Sequence, residues 1–91
     1  MDVLDPLFPQ LVRTARTLMG WSQARLAKEA GVSVPFISRL ERGERLGHAG
    51  KLRELRDALT QAGVVFEIGP ETVGVRLQGD AAKQLKGGHH G

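Results

Sequence analysis

Apolar residues recur with a helical period through the first two thirds of this chain and then with a period of two, which divides it into a helical part and a strand part. Asp5-Pro6 predicts the first helix start, because Asp can cap free backbone amides and Pro tolerates the first turn. Leu7, Leu11, Ala15 and Leu18 then share one face, with Val12 and Met19 beside them, and Gly20 ends the element. Ser22 predicts a cap for a second helix over residues 23–30, with Leu26, Ala27 and Ala30 inward and Gly31 as a left-handed stop. Ser33 caps a third, which takes Pro35 in its first turn, buries Phe36, Ile37 and Leu40, and stops at Gly43. A polar loop over residues 44–50 leads to a fourth helix over residues 51–62, with Leu52, Leu55 and Leu59 as its buried stripe and Gly63 as its terminator.

Beyond Gly63, the alternation of Val64, Phe66 and Ile68, and of Val73, Val75 and Leu77, around Gly69-Pro70-Glu71-Thr72 predicts a β-hairpin. Residues 79–91 are polar, with a short helical pattern around Ala81 to Leu85, and their glycine-rich end is expected to be flexible. The expected fold is therefore mainly α: a four-helix unit over residues 1–62, a hairpin over 63–78 and a polar tail over 79–91.

Length and composition narrow the function. Ninety-one residues at 41% hydrophobic content are expected to bury one small core, without a separate enzyme domain. The absence of cysteine removes disulfides, thiolate metal sites and thiol nucleophiles, and suits a reducing cytoplasm. No apolar run approaches the roughly 20 residues that cross a bilayer, and Met1-Asp2-Val3-Leu4-Asp5 lacks the order of a secretory signal, so a cytoplasmic protein without a membrane partner is expected. Thirteen Lys and Arg against ten Asp and Glu give +3, a modest bias towards an anionic partner. The three histidines, His48, His89 and His90, do not make a preorganised metal site, and no catalytic triad or phosphate-cradling loop is discernible. Neither a cofactor nor catalysis is expected. One Trp and three Phe are too few for a stacking platform for single-stranded nucleic acid.

Two short helices joined by a glycine turn project one face of the second, a shape that fits the major groove of B-DNA. The string Trp21-Ser22-Gln23-Ala24-Arg25-Leu26-Ala27-Lys28-Glu29-Ala30-Gly31-Val32-Ser33-Val34-Pro35-Phe36-Ile37-Ser38-Arg39-Leu40-Glu41-Arg42-Gly43 strongly resembles the Cro/CI-type, or Xre-like, helix-turn-helix family of bacterial and phage regulators. The resemblance extends over roughly residues 7–62, and the following segments resemble strands often appended to small members. It implies a lambda-repressor-like bundle, with Val34, Pro35 and Arg39 at base-facing positions. The family often carries Gln or another polar residue where Val34 and Pro35 stand, so apolar contact with a thymine methyl is expected there, and Arg39 is expected to pair with guanine O6 and N7. By the same resemblance Ser22, Gln23, Ser33, Ser38, Arg42 and Arg45 approach phosphates, Lys51 is expected to join them through its charge at the amino terminus of the fourth helix, and Arg16 and Glu41 form an internal ion pair bridging the first and third helices. Trp21 is expected at the corner between the first two helices.

One such unit reads only a few base pairs, so a homodimer on a palindromic operator is expected. The hairpin offers the means. Pairing two hairpins places Val64, Phe66, Ile68, Val73, Val75 and Leu77 at a dimer interface; the competing expectation is that the hairpin folds back on the fourth helix of its own chain. Function then divides between a repressor or autoregulator of transcription and an antitoxin-type module that neutralises a toxin partner through the tail and also binds its own promoter. A third reading, a scaffold that has lost DNA binding, is opposed by Gln23, Arg39 and Arg42.

Overall fold

The computed structural model describes residues 2–79. Its order is α1 (Phe8–Leu18), α2 (Gln23–Ala30), α3 (Val34–Glu41), α4 (Ala49–Gln61), β1 (Val64–Ile68) and β2 (Val73–Leu77). This is the expected mainly helical, lambda-repressor-like arrangement of four helices followed by a hairpin. The expectations for the tail fall largely on residues 80–91, outside the described residues.

The start of α1 differs from the sequence expectation. Asp5 does not open the helix: its Oδ1 accepts the Leu7 N–H at 2.8 Å and its carbonyl accepts the Phe8 N–H at 2.9 Å, forming a turn ahead of the element. The helix begins at Phe8, with Pro9 rather than Pro6 inside its first turn. The inward face moves accordingly to Phe8, Leu11, Val12 and Ala15, while Leu7 is 37% exposed against 0% for Phe8. Val3, ahead of the helix, is also buried in the core.

The next two helices follow their caps. Ser22 Oγ accepts the Arg25 N–H at 2.9 Å and Ser33 Oγ accepts the Phe36 N–H at 3.2 Å, each satisfying an amide that has no partner within its helix. Gly31, at φ +70°, closes α2 in the left-handed conformation. The fourth helix starts at Ala49, two residues before Lys51, without a side-chain cap from His48.

Leu26, Ile37, Leu55, Leu59, Val12 and Phe8 form the centre of one core, closed at one side by the hairpin. The strands pair antiparallel, Val64 opposite Leu77, Phe66 opposite Val75 and Ile68 opposite Val73, and the Gly69 N–H donates to the Thr72 carbonyl across the turn. This hairpin folds back on its own chain, β1 against α4 and β2 against α1, with the Phe8 and Phe66 rings 6.2 Å apart.

Candidate nucleic-acid interface

Between α2 and α3 the chain spends only Gly31, Val32 and Ser33, and the Val32 N–H donates back to the Ala27 carbonyl at 3.0 Å. So short a connection seats α3 by its apolar side, with Phe36, Ile37 and Leu40 buried. The opposite side carries Val34, Pro35 and Arg39, all exposed, with half-buried Ser38 beside them. These residues are spaced i, i+1, i+4 and i+5, so all three expected base-facing residues lie on one exposed helix face.

What holds that face in place is a polar junction at the far end of α3. Arg16 donates from Nε to Glu41 Oε2 at 2.7 Å and from Nη2 to Glu41 Oε1 at 2.9 Å, a bidentate pair, and from Nη1 to the Trp21 carbonyl at 2.8 Å. The two side chains are 16% and 4% exposed. Hydrogen bonding to Glu41 raises Arg16 above its already high ordinary pKa, so its charge is permanent. Gln23 joins the junction, its Nε2 donating to Glu41 Oε1 at 3.3 Å. One ion pair thus ties α1, the start of α2 and the end of α3 together. Trp21 lies at this corner, half-buried against the core, with the Arg25 guanidinium 4.7 Å from its ring centroid.

The expected phosphate-facing groups lie at the starts of α2, α3 and α4, within α2 and α3, and in the loop after α3. Ser22 and Ser33 are exposed at the starts of α2 and α3, and each hydroxyl that accepts a cap bond keeps its own proton to donate. Arg42 and Arg45 follow α3 on the surface. Lys51 lies in the first turn of α4, its Nζ 5.8 Å from the Phe36 ring centroid, which ties a cation of α4 to the base of α3. The hairpin residues fall elsewhere. Val64 is 1% exposed inside its own chain's core, Phe66, Val75 and Leu77 pack partly against that core, and Val73 is exposed.

Glu44 is the residue that the sequence reading passed over as loop. Gly43, at φ +86°, turns the chain at the end of α3, and the Glu44 N–H donates to the Arg39 carbonyl at 3.1 Å. Its carboxylate thereby meets both arginines: Arg42 Nη2 donates to Oε2 at 2.9 Å and Arg39 Nε to Oε1 at 3.1 Å. Hydrogen bonds from Arg42 and then Arg39 hold the Glu44 carboxyl below the usual carboxylate range. The available signal was the glycine turn, which brings the next residue back beside the last turn of the helix. Among the described residues no group of three or more His, Asp or Glu side chains is placed to hold a metal ion, and no helix is long and apolar enough to cross a membrane.

A helix-turn-helix family pattern matches residues 12–59, slightly more than half of the chain. The chain belongs to the helix-turn-helix family. This is a DNA-binding, regulatory family rather than an enzyme family, and the match contains all of α2, the turn and α3 but ends before the hairpin. The chain is also similar to YazB, an uncharacterised HTH-type transcriptional regulator of Bacillus subtilis (strain 168). The two are 38% identical over 48 residues, which cover 53% of this chain and 70% of the relative.

Proposed function

We propose that this helix-turn-helix protein is a sequence-specific regulator of transcription, a repressor or autoregulator that binds a palindromic operator in double-stranded DNA as a homodimer. The observation that carries the reading is the exposed face of α3, where Val34, Pro35 and Arg39 stand together on a helix braced by the Arg16–Glu41 pair. A rigidly held helix presents its side chains to base edges without first having to be ordered. In this reading Val34 and Pro35 meet a thymine methyl, and Arg39 donates its fork to guanine O6 and N7. Ser22, Gln23, Ser33, Ser38, Arg42, Arg45 and Lys51 hold phosphates on either side and set the register.

Occupying a promoter is sufficient for repression, whereas activation requires a further surface for the polymerase. The transcriptional-regulator name of the Bacillus relative supports the same assignment. For the dimer, the hairpin uses much of its apolar face on its own helices, so the open backbone edges of β1 and β2, with exposed Val73, are what it offers to a second copy.

Selection of bound duplexes from a random pool, repeated with Arg39→Ala, tests the reading. The wild-type protein is expected to enrich an inverted repeat, and the variant to lose preference at one position in each half-site. Unchanged specificity in the variant would remove Arg39 as a base reader.

A further inference from the structure

We propose that Glu44 is a positioning residue that sets the discrimination between operator and other DNA by orienting Arg39, while its charge lowers the affinity for all DNA alike. The inference rests on α3 being the DNA-reading helix. Its own observation is a single carboxylate that receives Arg39 on one oxygen and Arg42 on the other, at 3.1 and 2.9 Å. The backbone fixes the arrangement. With Gly43 in the left-handed conformation and the Glu44 N–H on the Arg39 carbonyl, the carboxylate is delivered to the last turn of α3 rather than reaching it from a free loop.

The atoms used matter. Arg39 gives Glu44 its Nε, so its terminal NH2 groups are not spent on that contact and remain for a planar fork of the kind that pairs with guanine O6 and N7. A guanidinium held in this way loses less conformational freedom on meeting a base than one that swings freely. The same carboxylate offsets one of the two positive charges, so a phosphate of arbitrary sequence meets a local excess of one charge at these three side chains rather than two. Orientation favours the matching site and so raises its ratio to other sites, whereas the charge offset weakens binding to every site alike and acts on overall affinity and its salt dependence. Glu44 is ionised at neutral pH, because the two arginines hold its carboxyl below the ordinary range.

The test compares Glu44→Gln with Glu71→Gln, which removes an equal charge from the exposed hairpin turn. Fluorescence anisotropy would measure Kd for the duplex selected from the random pool and for a shuffled duplex of the same composition, across a salt series. An arginine contact to an exposed carboxylate is worth a few-fold, and only the Arg39 contact orients the base reader, so Glu44→Gln should lower the ratio of the two dissociation constants by roughly threefold. It should also steepen the salt dependence on the shuffled duplex. Glu71→Gln should leave the ratio unchanged, and in an Arg39→Ala background Glu44→Gln should have little further effect on it. If Glu44→Gln preserves the ratio while Arg39→Ala lowers it, the DNA-reading assignment stands and the role of Glu44 is overturned. If Arg39→Ala also preserves it, both fall. An equal loss of ratio in Glu71→Gln would reduce Glu44 to a bulk charge and overturn the proposal.

Discussion

Glu41 is almost wholly buried, yet both of its oxygens are matched by the Arg16 guanidinium, and Gln23 supplies a further donor. Removing the cation leaves that carboxylate inside the protein without its main partner, so Arg16→Met is expected to lower unfolding free energy by about 3 kcal/mol in urea denaturation. Arg39 is different in kind. It is exposed and its contact with Glu44 is solvent-screened, so Arg39→Ala should leave stability within about 0.5 kcal/mol of wild type while costing about 1 to 3 kcal/mol of operator affinity. The pH dependence follows from Glu44. Its lowered pKa means that the bridge to the arginines is complete above the ordinary carboxylate value and is lost as pH falls through the folded one. Operator affinity measured between pH 6 and 8 should therefore show no step that Glu44→Gln abolishes. The Arg16–Glu41 pair was legible through the family resemblance. Glu44 was not, because its role depends on a turn that brings a loop carboxylate beside two helix side chains.

Among the elements, α2 and α3 were readable nearly to the residue, since Ser22, Gly31 and Ser33 act on amides and carbonyls within four positions of themselves. Gly31→Ala meets no atom within 4 Å, so its cost is the left-handed backbone alone, expected at about 1 kcal/mol in thermal or chemical unfolding. The start of α1 was less legible. Asp5, Pro6, Leu7, Phe8 and Pro9 allow two starts, each with a proline in its first turn and an apolar residue at its head. Contact of Phe8 with Phe66, nearly sixty positions away, accompanies the later one. Phe8→Ala is accordingly expected to cost about 3 to 5 kcal/mol, and Leu7→Ala well under about 1 kcal/mol; comparable losses would restore the earlier start.

For the molecule as a whole, the hairpin is part of the core and also the proposed meeting point of two copies. Val64 fills the core beneath β1, so a chain cut after Gly63 should unfold without a cooperative transition in calorimetry. The dimer makes a separate demand: sedimentation at tens of micromolar should give twice the monomer mass, and a monomer there would count against strand-edge pairing. Helical periods, caps, the alternating strands and the spacing of the motif could be read from the chain alone, because backbone preference and side-chain direction are governed by near neighbours. Three-dimensional packing decided that Phe8 rather than Leu7 faces inward, that the hairpin packs on α1 and α4, and that Glu44 returns to Arg39 and Arg42. Burial and charge pairing depend on which distant residues arrive at the same place, and that is settled only when the whole chain has closed around one core.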